Sequence, residues 1–250
     1  MTTWIDVNKL VVARNAKLGT NARLKDVRPR PNSLSLPTRL STELFASAKP
    51  VRLAADEVLF HALDTGDGCY RIEEGLLKVT MASRPGTERI LTFLGPGAIV
   101  GELSLIDGLP RLAAVVAVRD TTLSFISRSA FAVFAEKHPE VYKLLSTLLA
   151  TRLRKTVAVT AGSFLLQSGR VALTLLELAG EFGQNVGSGR IVIRQKIGQR
   201  DLAARAGIAR ETVSRILNDW KRRKLISRVS GYYCLENRTQ LQHEAEVTDE

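Results

Sequence analysis

Arg210, Glu211, Ser214 and Arg215 fall at i, i+1, i+4 and i+5, a spacing that gathers side chains on one face of an α-helix. Their types suit the edges that base pairs present in the major groove. An arginine donates two parallel hydrogen bonds to guanine, and a glutamate accepts from the cytosine amino group. Val213, Ile216 and Leu217 form an apolar stripe on the other side of the same helix. Upstream, Leu202, Ala203 and Ala206 mark a first helix, and Gly207 supplies a tight turn between the two. The run reads as a helix-turn-helix, in which Arg210, Glu211, Ser214 and Arg215 read bases. Arg200 and Arg205 on the first helix, with Thr212, Lys221 and Arg222 on or after the second, are expected to meet phosphates. The bland reading of the same pattern is a helical hairpin with a solvated charged face. The small Ala203, the turn Gly207 and the Arg/Glu pair, taken together, favour DNA.

A second constellation lies in Gly95-Pro96-Gly97-Ala98-Ile99-Val100-Gly101-Glu102-Leu103, continuing to Pro110-Arg111-Leu112. Glycines let a backbone approach a ligand closely. Glu102 can accept hydrogen bonds from hydroxyls, and Arg111 can hold an anion in a charge-assisted pair. A carboxylate and a guanidinium flanking one short turn suit a ribose and a phosphate. They can equally pair with each other and fasten the loop, and the residues alone leave both readings open.

The chain has 250 residues, 45% of them hydrophobic, and a formal net charge of +11. The charge is unevenly placed. Arg170 to Arg238 carries fourteen Lys/Arg against six Asp/Glu, a balance of +8, and Met1 to Arg30 carries +5. Thr239 to Glu250 holds four acids and no Lys or Arg, leaving only +2 for the middle. A basic C-terminal third around a helix-turn-helix is the electrostatic footprint of a duplex binder. No apolar run approaches the ~18 residues of a membrane helix, and Met1 to Asn21 lacks the apolar core of a secretory signal. Cys69 and Cys234 are the only cysteines, too few and too far apart for a disulfide framework, a zinc site or an iron–sulfur cluster. A cytoplasmic location is expected. Three scattered histidines, at 61, 138 and 243, offer no metal cluster, so no metal is expected and an enzyme on a cupin-like barrel is disfavoured. His61 and His138 read as structural or solvated rather than haem ligands. Cys234 reads as a small packed hydrophobe, with a redox switch as its sharper alternative.

These groups need a scaffold. Residues 1–34 form a basic extension without sustained period. Leu40, Leu44 and Phe45 predict a short helix before Pro50. From 51 to 130, short β-rich runs are predicted: Val51–Leu53, Glu57–Phe60, Cys69–Ile72, Leu76–Met81, Glu88–Leu94, Ala113–Val118 and Thr121–Ile126. Turn signals such as Pro85-Gly86 and Gly95-Pro96-Gly97 separate them, which argues an antiparallel barrel or jelly roll. Helices follow at Arg128–His138 and from Pro139. Along the latter, Leu145, Leu149 and Leu153, then Thr156 and Val157, make a stripe expected to pair with its copy in a second chain. Ala161–Phe164 reads as a hinge, Gly169–Phe182 as a helix, Gly183–Gly189 as a loop and Ile191–Arg194 as a strand. Leu225–Val229 and Tyr232–Leu235 then form a wing hairpin. The domain expectation is an α+β chain: 35–138 an effector-binding domain, 139–163 dimerisation helix and hinge, 164–238 a winged helix-turn-helix, and 239–250 an acidic tail.

Gly66-Asp67-Gly68-Cys69-Tyr70-Arg71-Ile72-Glu73-Glu74-Gly75, then Gly97, Gly101-Glu102 and Pro110-Arg111, then Arg210-Glu211-Thr212-Val213-Ser214-Arg215, in this order, resemble the CRP/FNR family of bacterial transcription regulators. The resemblance runs from about 36 to 237. It implies a cyclic-nucleotide-binding-type β-roll, a long dimerisation helix and a C-terminal winged helix-turn-helix. It further implies a homodimer on palindromic double-stranded DNA and, for an activator, contact with RNA polymerase. In members that bind cyclic AMP, a Glu holds the ribose and an Arg the cyclic phosphate, roles that would fall on Glu102 and Arg111, beside Gly101 and Leu103. Two positions depart from that pattern. The hydroxyl that usually follows the Arg is Leu112, and the adjacent hydroxyl pair of the long helix is Thr156 followed by Val157. Losing one hydroxyl against a buried ligand group costs about 1–3 kcal/mol. Cyclic AMP or cyclic GMP therefore stands beside a different effector, or none. Ser214 resembles FNR-like members and Arg210 CRP-like ones, so the outer bases stay open between TGTGA-like and TTGAT-like half-sites. A sensor acting through protein contacts, with a vestigial DNA domain, is the alternative function.

Overall fold

The computed structural model describes residues 38–84, 87–161 and 165–246. The basic extension 1–34, the Pro85-Gly86 turn and most of the expected hinge lie outside them. A short helix α1 (Thr38–Leu44) leads into the roll strands β1 (Lys49–Leu53), β2 (Val58–Phe60), β3 (Gly68–Arg84), β4 (Thr87–Leu94), β5 (Ile99–Val100) and β6 (Ala114–Ser127). All the pairings in this sheet are antiparallel, with β6 between β1 and β3, β4 beyond β3, β2 on β6 and β5 on β3.

Four predicted strands merge into two. Cys69–Ile72 and Leu76–Met81 are one strand, β3, and Ala113–Val118 and Thr121–Ile126 are one strand, β6. The turn-like residues between them sit at irregularities of the β3–β6 register, between Ile72 and Leu77. There the Thr121 Oγ1 accepts from the Leu76 N–H at 3.2 Å, so the bulge is hydrogen-bonded rather than a chain reversal. The roll core inside this sheet holds Ile72, Leu77, Leu94, Ile99 and Leu123.

A single turn and a half, α2 (Glu102–Asp107), crosses the roll after β5. It is followed, beyond β6, by α3 (Arg128–Lys137), whose N-cap Ser127 accepts from the Ala130 N–H. The long helix α4 (Glu140–Ala161) follows. Val141, Leu145 and Leu148 bury themselves in the roll core, whereas Leu153 and Val157 stand 65% and 48% exposed. The expectation of one stripe for pairing between copies is corrected at Leu145. With 3.6 residues per turn, the 141/145/148 row and the 149/153/157 row diverge to different faces. The first half of the helix therefore lies on its own roll, and only the second half is open.

The C-terminal unit comprises α5 (Gln167–Phe182), β7 (Gly183–Asn185), β8 (Ile191–Ile193), α6 (Gln199–Ala206), α7 (Arg210–Arg222), β9 (Ile226–Val229), β10 (Tyr232–Leu235) and α8 (Arg238–Glu244). The predicted loop 183–189 is instead half strand: β7 pairs with β8, which pairs with β10 of the wing. The segment set apart as an acidic tail is also corrected. Asn237 caps α8 by accepting from the Gln240 N–H at 3.0 Å, and Leu241, fully buried, joins the core of the C-terminal unit. Charge counting missed it because one leucine carries the packing. Leu241→Ala is expected to lower stability by about 2–5 kcal/mol, measured as a shift of the denaturant midpoint at unchanged slope.

Candidate functional site

The helix-turn-helix forms as its residues predict. Gly207 ends α6 in the left-handed region, at φ 65°, and its N–H bonds the Ala203 carbonyl at 2.7 Å. Leu202, Ala203, Val213, Leu217 and Trp220 are buried between the two helices and α5. This leaves Arg210, Glu211 and Arg215 exposed and Ser214 half-buried along one side of α7. Arg215 Nη2 donates to the Thr212 Oγ1 at 3.2 Å, which orients the guanidinium along that face. Among the described residues no side chain caps the start of α7, which leaves its first N–H groups to an anion.

The expected phosphate contacts divide. Arg200 and Lys221 are exposed, and Arg222 is exposed but bonds Asp219 at 3.1 Å. Arg205 does not point outward and is corrected as a phosphate contact. Its side chain is 9% exposed and bonds Glu177 of α5 at 2.5 Å. Position 205 lies on the α6 face that also buries Leu202 and Ala206, so an arginine there must be neutralised internally. Burial raises the Glu177 carboxyl above its ordinary value, while Arg205 and then Lys155 draw it back down. Two cations the sequence reading did not single out lie on wing rings: Lys196, from the segment between β8 and α6, over Tyr232, and Arg228 of β9 over Tyr233.

In the roll, Gly101 at φ 83° and Gly108 at φ 74° bracket α2. Glu102 and Arg111 are 1% and 2% exposed. They do not pair with each other, so the loop-fastening reading is set aside. Arg111 Nη1 donates to the Gly68 and Gly101 carbonyls at 2.9 and 2.8 Å, and its guanidinium stacks on Phe60. The nearest carboxylate is the exposed Asp67, at 3.4 Å. Glu102 is held instead by Arg152 of α4, which also donates to the Ile99 carbonyl. Arg152 was missed; a charged residue on a leucine-rich helix looks solvated until the roll is folded beside it. Among the described residues, neither Arg111 Nε nor Arg152 Nε, both buried, has a partner. Leu103 is half-buried, Leu112 is 65% exposed, and Thr156 is exposed with its hydroxyl turned back to the Arg152 carbonyl. The Cys69 thiol, buried in the roll core, is pushed up to about 12 by burial first and then by the Glu102 charge, and stays a thiol. Cys234 is buried and its thiol is likewise raised by burial, which fits packing rather than redox chemistry.

Residues 50–138 match the cyclic nucleotide-binding domain, and residues 169–244 match the Crp-like helix-turn-helix domain. The CRP-like cAMP-activated global transcriptional regulator of Mycobacterium tuberculosis (strain H37Rv) is 31% identical over 79% of this chain and 85% of its own length. The chain belongs to the CRP/FNR family of transcriptional regulators. The cyclic AMP receptor protein of Thermus thermophilus is 35% identical over 70% of this chain and 74% of its own length. A solved CRP/FNR-family regulator from the same species superposes with a TM-score of 0.64 at 25% identity, over 80% of this chain and 100% of its own. As a CRP/FNR member the chain is a DNA-binding transcriptional regulator with a cyclic-nucleotide-binding-type roll. The second match ends at residue 244, the end of α8, and so includes the buried Leu241. Among the described residues no helix is long and apolar enough to cross a membrane.

Substitutions should separate the roles. Glu211→Ala is expected to cost about 1–3 kcal/mol at one base pair and relax preference there, while Arg222→Ala weakens all sequences alike. Arg205→Ala should instead lower stability by about 1–3 kcal/mol. Gel shifts on specific and scrambled duplexes, with melting curves, check all three.

Proposed function

We propose that this regulator acts as a homodimer, joined by the outer half of α4, and that its roll pocket takes a cyclic nucleotide as effector. The observation that supports the ligand is Arg111. A guanidinium 2% exposed, held by two carbonyls and with its Nε unpartnered among the described residues, has only the long 3.4 Å contact to the exposed Asp67 carboxylate to offset its burial. A cyclic phosphate supplies that charge. Glu102, beside it, would accept from a ribose hydroxyl in competition with Arg152, and Gly101 lets the backbone close on the ligand. Leu103 and Thr156 would line the site. Leu112 offers no hydroxyl to the phosphate, which weakens the fit by about 1–3 kcal/mol, or ten- to a hundredfold.

Arg210, Glu211, Ser214 and Arg215 would read each half-site, with Arg200, Thr212, Lys221 and Arg222 on phosphates. The half-sites of a two-fold dimer lie about one helical turn apart. RNA polymerase becomes a partner where a site is placed for activation, and a cytoplasmic location goes with these partners.

Calorimetry on the full chain should show cyclic AMP or cyclic GMP binding, weakened at least tenfold by Arg111→Ala and strengthened by Leu112→Ser. No heat and no thermal shift at millimolar nucleotide would mean that Arg152 and Glu102 simply close the pocket. For the dimer, Leu153→Arg should convert the species seen by light scattering to the monomer mass; an unchanged mass would place the interface elsewhere.

A further inference from the structure

The helix-turn-helix is seated on the roll. Leu76, Ile90 and Phe93, on the outer face of β3 and β4, are buried in the core of the C-terminal unit. Lys78 of β3 lies between Glu88, at 3.1 Å, and Asp201 of α6, at 3.5 Å. At the other end of α6, Arg170 of α5 donates from Nε to the Ala206 carbonyl at 3.0 Å and from Nη2 to the Gly207 carbonyl at 2.6 Å. Arg89 of β4 lies directly against Gly207, on the spot a Cβ would occupy, and Arg170 Nη2 is 3.1 Å from that same spot.

Two guanidiniums thus meet over the turn that leads into the recognition helix. The carboxylates of the seam are already engaged: Glu88 and Asp201 by Lys78, and Glu177 by Arg205. Among the described residues none pairs with Arg89. Its guanidinium is held below the ordinary arginine range by burial first, and then by Arg170 and Arg205. The carbonyls of Ala206, the last residue of α6, and of the turn residue Gly207 answer Arg170 but leave Arg89 without a counter-charge. Two adjoining half-buried guanidiniums with no carboxylate between them, one bonded to carbonyls and the other unpartnered, match the oxygens of a phosphate group. The uncapped N-terminus of α7 begins three residues beyond Gly207, at Arg210.

We infer that Arg89 and Arg170 form a phosphate site at the seam between roll and helix-turn-helix, so that the roll itself contributes a contact to the bound duplex. The inference rests on DNA binding by the helix-turn-helix, but not on base readout by Glu211 or on the pocket at Arg111.

The test uses the full chain with Arg89→Ala and Arg89→Lys, both checked for folding by melting. Affinity for the specific duplex is measured across a salt series by fluorescence anisotropy. Each neutralised phosphate contributes about 0.9 to the slope of log K against log salt. Arg89→Ala should therefore flatten the slope by about 0.9 per protomer engaged, with base preference unchanged and Arg89→Lys retaining the slope. In a second arm, inorganic phosphate is compared with chloride at equal ionic strength for its effect on the melting temperature. A flattened slope assigns the site to backbone phosphate. A phosphate-specific stabilisation lost in Arg89→Ala, without a slope change, assigns it to a free phosphate. If neither changes, or if affinity falls with the slope intact, Arg89 only braces the seam and the inference is wrong.

Discussion

A carboxylate as deeply buried as Glu102 cannot stand alone, because an unpaired charge in a low-dielectric interior costs several kcal/mol. Its partner comes from outside the roll. Arg152 reaches in from α4, so the cassette that carries Glu102 and Arg111 is tied to the helix that leads toward the DNA-binding unit. The same helix buries Val141, Leu145 and Leu148 in the roll and turns Leu153 and Val157 outward. A ligand hydroxyl arriving at Glu102 would therefore compete directly with the tether of α4. A ligand shifts an equilibrium only by binding two states unequally, and this exchange of partners is a place where that inequality can arise.

A second buried pair, Arg205 with Glu177, holds the first helix of the helix-turn-helix to α5. On its other side α6 meets the roll through Lys78, Ile90 and Phe93. The apolar core of the C-terminal unit is thus continued by three residues of the roll sheet. That is a seam with packed side chains rather than a solvated linker, and it makes the position of the recognition helix a property of both units.

Much of this organisation was legible in residues. Gly207, Ala203 and the 213/217 stripe foretold the helix-turn-helix, because a tight turn and a close helix crossing restrict residue type locally. The glycines around Glu102 foretold a tight backbone for the same reason, and Gly101 and Gly108 do take the left-handed conformation at the two ends of α2. The strand count was less legible. A hydrogen-bonded bulge at Leu76 and Thr121 looks in sequence like a turn, since both favour the same residues. The strand β7 and the helix α8 were missed for a different cause: each is short, and its stability comes from neighbours rather than from its own pattern.

By itself, the sequence determined which side chains share the exposed side of α7, where the charge accumulates and which family the chain resembles. These depend on residue type and short spacing, which the backbone carries unchanged into the fold. Only the tertiary structure decided what each charge faces. Arg205 and Arg152 look like surface cations in the sequence, yet one is spent on Glu177 and the other on Glu102. Leu145 belongs to the roll, while Leu153, eight residues on, is open to a partner. Long-range pairing sets these outcomes, because burial must be neutralised by whatever charge or apolar surface the fold brings alongside.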